Sequence, residues 1–184
     1  MFIETEQTPN PETLKFLPEQ DFLTSGSVNY ASREGSEGSP LASELFRIED
    51  VASVFIGQNF VSVTKATTSD WDVLKPIVLS SLMQFISSGQ AAVEAASNEI
   101  TFEVSDEDAD VVAQISVIID EKVRPSVAGD GGDIVLRGFE KGIVYLQLQG
   151  ACAGCPSSTI TLKHGIENLL KYYVPEVIEV RAIE

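Results

Sequence analysis

The sequence predicts an α+β fold with two small domains, each a small mixed or antiparallel sheet packed with helices. Two observations support this prediction. Short runs rich in β-branched and aromatic residues alternate along the chain with stretches of helical apolar period. In addition, the stretch 87–106 lacks clear periodicity and is rich in Ser and Ala, which is typical of a linker. We therefore predict domains at 1–90 and 106–184, joined by a linker at 91–105.

The first domain is predicted to contain five strands. Short β-compatible runs occupy 2–7 and 13–18, and a third lies within GSVNYAS at 26–32. The runs VASVFIG at 51–57 and FVSVTKA at 60–66 flank a short turn, and this arrangement predicts a β-hairpin.

Two helices complete the prediction for the first domain. Ser39 followed by Pro40 predicts the start of a short helix, because proline is tolerated at the first helical position. Ser69 or Asp70 is expected to cap a longer helix, which begins or kinks at Pro76. Its apolar side chains recur every three or four residues, so we expect the stripe to pack in the core rather than bind a ligand. The stripe contains Trp71, Leu74, Val78, Leu82 and Phe85.

The second domain is predicted to run helix–strand–strand–helix–strand. Its first helix follows a capping box formed by Ser105 and Asp108, and it is expected to end before Pro125. The glycine-rich stretch 129–132 predicts a turn, and no helix or GK[ST] motif follows that would make it a phosphate-binding loop. The remaining elements are two strands at 133–139 and 142–150, an amphipathic helix beginning at Pro156, and a last strand at 177–183.

Composition and charge exclude several classes of protein. The formal net charge is −16 and no stripe of Lys and Arg is present, which argues against nucleic-acid binding. No apolar run is long enough for a transmembrane helix, and we expect no membrane association. The N-terminal residues resemble neither a signal peptide nor a presequence, so we expect the cytoplasm unless a targeting segment has been removed. Two cysteines cannot form the disulfide framework of a secreted protein.

Both cysteines, Cys152 and Cys155, lie in the segment GACAGCPSST at 150–159, between a predicted strand and a predicted helix. The N–H groups at the start of a helix lower the pKa of a nearby thiol. We therefore expect both thiols to ionise readily and to act in attack or in metal binding.

Three functional interpretations follow from the cysteine pair. A thioredoxin-like dithiol is one, although the expected βαβ unit before the pair is missing. A zinc site is the second, but the single histidine, His164, lies roughly 13 Å further along the helix and cannot share one coordination sphere. An iron–sulfur cluster held by Cys152 and Cys155 from each of two chains is the third, with four thiolates at a two-fold interface. A plain interaction module without cysteine chemistry also remains open.

Two longer segments resemble a known family. VRPSVAGDGGDIVL at 123–136 and GACAGCPSSTITLKHGIENLLK at 150–171 resemble the C-terminal domain of NifU-like (Nfu) iron–sulfur cluster scaffold proteins. FIETEQTPNPETLKFLP at 2–18 resembles the N-terminal domain that precedes it in the Nfu type. The motif loop contains Asp130 and Asp133, to which we assign no catalytic role.

The resemblance implies a non-enzymatic carrier that binds a labile [4Fe–4S] cluster, or a [2Fe–2S] form, between two subunits. Cys152 and Cys155 are the implied ligands. Implied partners are a second copy of the chain on cluster binding, upstream cluster-assembly proteins and apo iron–sulfur client proteins. The first domain contains no cysteine, so we expect a recognition or regulatory module. The expected location is the bacterial cytoplasm, or the mitochondrial matrix if a presequence has been removed.

Overall fold

The computed structural model describes residues 2–94, 104–153 and 156–183, without the side chains of 156–158. It divides into two compact units, Met1–Asn98 and Glu99–Glu184. The first contains a five-stranded sheet and the second a three-stranded sheet, each with its own helices, which confirms the predicted α+β class. Residues 95–103 lie outside the described part, so the linker at 91–105 and the domain limits drawn from it stay predictions.

The sheet of the first unit is antiparallel throughout. Its strands stand in the order β1-β2-β5-β4-β3, so β1 and β3 form the two edges. All five predicted strands are present. Their bounds are β1 Ile3–Gln7, β2 Thr13–Pro18, β3 Val28–Tyr30, β4 Val51–Ile56 and β5 Val61–Lys65.

Capping residues fix the helices of this unit. A single 3₁₀ turn at Glu34–Ser36 precedes α1, Pro40–Leu45, where the Ser39 hydroxyl accepts a hydrogen bond of 3.0 Å from the Ala42 amide. Helix α2 spans Trp71–Ser88, with Asp70 as its N-cap.

Helix α2 begins at Trp71 rather than at Pro76, because Asp70 already satisfies the first turn. The Asp70 carboxylate accepts a hydrogen bond of 2.9 Å from the amide of Asp72. The helix ends at Gly89, whose φ of +68° suits glycine. Trp71 packs against the core as predicted, with its ring centroid 6.3 Å from that of Phe16.

The first helix of the second unit differs from the prediction in its start. Helix α3 spans Ala109–Ile118 and has Asp108 as its N-cap residue, without a side-chain cap. The Ser105 hydroxyl donates to the Asp108 carboxylate over 2.8 Å, so the two side chains bond to each other instead of to the backbone amides. The predicted capping box is therefore wrong.

The predicted end of that helix before Pro125 is also wrong. The chain continues through one π-helical turn at Ile119–Val123 into helix α4, Arg124–Gly129. Pro125 stands in the first turn of α4, where its missing N–H costs no hydrogen bond. The wider π turn separates the two helices, and helical structure continues past Pro125.

The sheet of the second unit is mixed. Strand β6, Gly132–Glu140, pairs antiparallel with β7, Ile143–Gly150, and β7 pairs parallel with β8, Glu179–Ile183. Helix α5, Pro156–Tyr173, connects β7 to β8, as predicted. The core of this unit forms between the helices and one face of the sheet, and it includes Ile115, Ile119, Ile134, Leu146, Leu170 and Val180.

Glu167 joins helix α5 to strand β8. Its carboxylate accepts a hydrogen bond of 3.0 Å from the Val180 amide and lies 2.9 Å from the Lys171 ammonium. The Val180 hydrogen bond, followed by the interaction with Lys171, lowers the pKa of the Glu167 carboxyl. Since the folded state favours the ionised form, this carboxylate stabilises the unit above pH 4.5 and loses that effect as the pH falls through the folded-state pKa.

We expect Glu167→Gln to lower the free energy of unfolding of the second unit by about 1 kcal/mol at pH 7. The deficit should be smaller at pH 3 than at pH 7, because falling pH favours protonation of the wild-type carboxyl and so removes its advantage over the glutamine. Urea unfolding followed through the NMR resonances of β8 measures both values. Glu140→Gln serves as control because that side chain is 69% exposed and should change little. An equal loss at both pH values would contradict the assignment.

Candidate metal centre

The cysteine loop connects the end of β7 to the start of α5. Strand β7 ends at Gly150, whose φ is +65°, and the chain turns there toward the helix. The Ala151 amide donates to the Gly131 carbonyl over 3.1 Å, which ties this loop to the glycine-rich turn before β6. Cys155 lies outside the described residues, so the structure places only Cys152 of the predicted pair.

Cys152 is buried in the core of the second unit. Only 6% of its surface is exposed, and it belongs to the apolar cluster between helices and sheet. The Thr159 hydroxyl donates to its carbonyl over 3.4 Å and thereby connects the loop to α5.

The predicted low pKa is wrong for Cys152. Burial away from water, followed by the negative charges of Asp130 and Asp133, raises the pKa of its thiol to about 12. These two effects on the pKa outweigh the lowering expected from the N-terminus of the nearby helix, because that terminus carries only a partial positive charge. The thiol is therefore protonated at neutral pH unless a cation replaces the proton.

The glycine-rich turn leaves space for the cysteine sulfur. A Cβ atom at Gly132 would lie 2.9 Å from Cys152 Sγ and 2.5 Å from the carbonyl oxygen of Gln149. Any side chain at position 132 would therefore press on the sulfur and on the β6–β7 pairing together. The absence of a side chain at Gly132 thus permits this close approach, and Gly131 has a φ of +83°, which glycine adopts readily.

Arg124 is a residue of this site that the sequence did not single out. Its Nε lies 3.4 Å from Asp133 Oδ1, and its Nη1 lies 3.1 Å from Asp120 Oδ1. It thus offsets part of the negative charge beside Cys152. In the sequence, only its position before Pro125, within the VRPSV segment that resembles the Nfu family, could have indicated a role at this site.

Other candidate ligands lie elsewhere. His164 is exposed on α5. Within 2–94, 104–153 and 156–183, no three or more His, Cys, Asp or Glu side chains are grouped so that they could hold a metal ion. The helices of this described part include none with the length and apolar character needed to cross a membrane. The Cys152 thiol, which lies beside Gly132, is the type of ligand that holds iron–sulfur clusters in proteins.

Comparison with known proteins identifies the family. The model for the N-terminal domain of the scaffold protein Nfu/NifU matches residues 3–89, and the model for the NifU-like domain matches residues 115–181. The human mitochondrial NFU1 iron-sulfur cluster scaffold homolog is 48% identical over 180 residues, covering 96% of this chain and 70% of that protein. The chain belongs to the Nfu family.

A second relative, from Drosophila, agrees with this assignment. The mitochondrial NFU1 homolog of Drosophila virilis is 43% identical over 184 residues, covering all of this chain and 62% of that protein. The chain thus spans 62% to 70% of the length of these two Nfu relatives. The solution structure of a NifU-like protein from Saccharomyces cerevisiae matches 50% of this chain and 84% of that one, at a TM-score of 0.46 and 26% identity. The two family models and the human relative confirm the Nfu resemblance of 2–18, 123–136 and 150–171.

Proposed function

We propose that the chain is an iron–sulfur cluster scaffold and carrier. It binds one labile [4Fe–4S] cluster between two subunits through Cys152 and Cys155 of each, and passes the cluster to apo-proteins. The cluster is cargo rather than a resident cofactor, and the chain catalyses no covalent reaction of its own. A [2Fe–2S] form on the same ligands is the smaller alternative cargo.

The number of cysteines is the observation that supports this function most directly. A [4Fe–4S] cluster takes four thiolates, and the chain contains two cysteines in its whole sequence. Two copies related by a two-fold axis supply four equivalent thiolates. A cluster shared in this way is held by few bonds per chain and is released when the chains separate.

The environment of Cys152 favours a metal role over thiol–disulfide exchange. A thiol whose pKa is raised to about 12 provides little thiolate for attack on a disulfide at neutral pH. An iron cation supplies positive charge beside Asp130 and Asp133, so the charges that disfavour a bare thiolate attract the metal. The buried loop therefore suits a site that ionises when iron binds. The dithiol oxidoreductase remains the second candidate, supported by the C-x-x-C spacing alone.

The family also bears on partners and location. Scaffold proteins need a source of clusters and acceptors for them, so we propose cluster-assembly proteins upstream and apo iron–sulfur proteins as clients. Of the two compartments expected from sequence, we propose the mitochondrial matrix, because both NFU1 relatives are named as mitochondrial. The cysteine-free first unit is proposed to recognise partners.

A cluster-transfer experiment tests this function. The chain is reconstituted without oxygen with iron and sulfide, repurified, and mixed with an apo-enzyme that needs a [4Fe–4S] cluster. We expect enzyme activity to appear as the chain loses its visible absorbance, and to stay absent with free iron and sulfide at equal concentration under a chelator. Turnover of an oxidised protein disulfide by the iron-free chain, without any cluster transfer, would favour the oxidoreductase instead.

A further inference from the structure

The first unit contains a cavity that the cluster function does not use. Its volume is about 570 Å³, which lies within the range of ligand sites in proteins. It opens between the edge strand β1, the loop after it, and the first turns of α2. Residues that line it include Thr5, Gln7, Asn10, Trp71, Asp72 and Lys75.

The lining of this cavity is suited to a peptide. Hydroxyl and amide side chains face the cavity together with proline rings and the Trp71 indole. Sites for compact apolar ligands are instead lined mainly by hydrophobic side chains. A mixture of amides, hydroxyls and a few flat apolar surfaces matches the alternating polar and apolar groups of an extended polypeptide.

Strand β1 provides the backbone for such a peptide. Within the described residues it is the outermost strand of the sheet and pairs only with β2, so one row of its N–H and C=O groups has no strand partner there. Thr5 and Gln7 line the cavity side of this strand, whereas Glu4 and Glu6 alternate with them on the opposite face. The acidic residues that protect an edge from pairing therefore point away from the cavity.

Trp71 gives the cavity a fixed wall. Its indole N–H donates to the Pro11 carbonyl over 3.2 Å, and its ring packs at a tilt of 57° on Phe16. A ring held from both sides presents the same surface to each ligand and loses little conformational freedom on binding.

Lys75 gives the cavity a charge that lacks a counter-ion. The other two lysines of the unit are paired, Lys15 with Glu6 and Lys65 with Glu12. Within the described residues, Lys75 forms no ion pair, even with Asp72 three residues earlier on the same helix. An ammonium group of this kind attracts one carboxylate, while Asp72 at the cavity rim disfavours a second one nearby.

We propose that this cavity binds an extended acidic segment of a partner protein. The segment adds to the free edge of β1, places an apolar side chain against Trp71, and presents one carboxylate to the ammonium of Lys75. The inference rests on the proposed partner recognition by the first unit and specifies its ligand, and it is independent of cluster binding because neither cysteine takes part in it.

The probe is an acetylated, amidated hexapeptide, Val-Thr-Glu-Val-Thr-Val, titrated into the full chain. Trp71 is the single tryptophan, so its fluorescence reports on this cavity alone. We expect a saturable change, with new hydrogen-exchange protection of β1 amides. Lys75→Gln should weaken binding about fivefold. Arg33→Gln, which removes one exposed positive charge from the same unit, should leave the affinity unchanged.

Two further peptides keep the test decisive if Lys75→Gln fails to fold. Glu→Gln in the peptide should weaken binding to the wild-type chain by the same factor. N-methylation of alternate peptide amides should abolish it, because strand addition needs those N–H groups. Equal affinity for the acidic and the neutral peptide, or an equal fluorescence response to inorganic phosphate, would overturn the proposal. The double variant Cys152→Ser, Cys155→Ser should bind the peptide with wild-type affinity. Failure of the proposed cluster function would therefore not affect the outcome of this peptide test.

Discussion

Replacement of Cys152 or of Cys155 by serine should abolish cluster loading. We expect wild-type chain reconstituted without oxygen to contain about four irons and four sulfides per two chains. Either serine variant should fall to background, because each substitution removes two of the four thiolates in the dimer at once. Iron and acid-labile sulfide determination, together with visible absorbance, measures the effect.

Two further variants separate ligand loss from misfolding. Cys152 is buried, and a serine hydroxyl there adds a polar group to the core, so Cys152→Ala should be measured alongside it. Ala153→Ser introduces the same hydroxyl at an exposed position of the same loop and should load normally. A folded Cys152→Ala variant that retained the full cluster would show that another group ligates the iron.

Gly132→Ala should both destabilise the second unit and prevent loading. The added methyl group would lie 2.5 Å from a backbone carbonyl oxygen and 2.9 Å from Cys152 Sγ, and neither neighbour belongs to a flexible side-chain end. Overpacking of this kind costs about 2 kcal/mol. We expect a lower unfolding midpoint for the second unit, and cluster content well below that of wild type even at temperatures where the variant is folded.

Gly129→Ala provides the matched comparison. It lies three residues earlier, and a Cβ there meets nothing within 4 Å. Its loading should equal that of the wild type, with stability unchanged or slightly raised because alanine restricts the unfolded chain. Normal cluster content in Gly132→Ala would show that cluster binding does not depend on the space that Gly132 leaves beside the Cys152 sulfur.

The elements that sequence predicted well are those specified by local patterns. The hairpin β4–β5 follows from two alternating runs around a turn, and the start of α1 from Ser39 and Pro40 side by side. Helix α5 follows from its apolar period, bounded by Pro156 and by Pro175 just beyond its end. In each case the deciding interactions join residues close together in the chain.

The features that sequence did not predict depend on residues distant in the chain. The pKa of the Cys152 thiol is raised by burial in the core and by the negative charges of Asp130 and Asp133, whereas its position before a helix indicated a lowered pKa. Pro125 was interpreted as a helix end, although a π turn before it allows a second helix to follow. The cavity beside Trp71 likewise arises where the β1 edge meets the start of α2.

Native mass spectrometry of the reconstituted chain tests the shared cluster most directly. Anaerobic spray of the loaded form should show two polypeptides with a single four-iron, four-sulfide cluster, and removal of the metal by a chelator should return lone polypeptides. A loaded species containing one polypeptide, with the iron retained after dilution, would contradict the account.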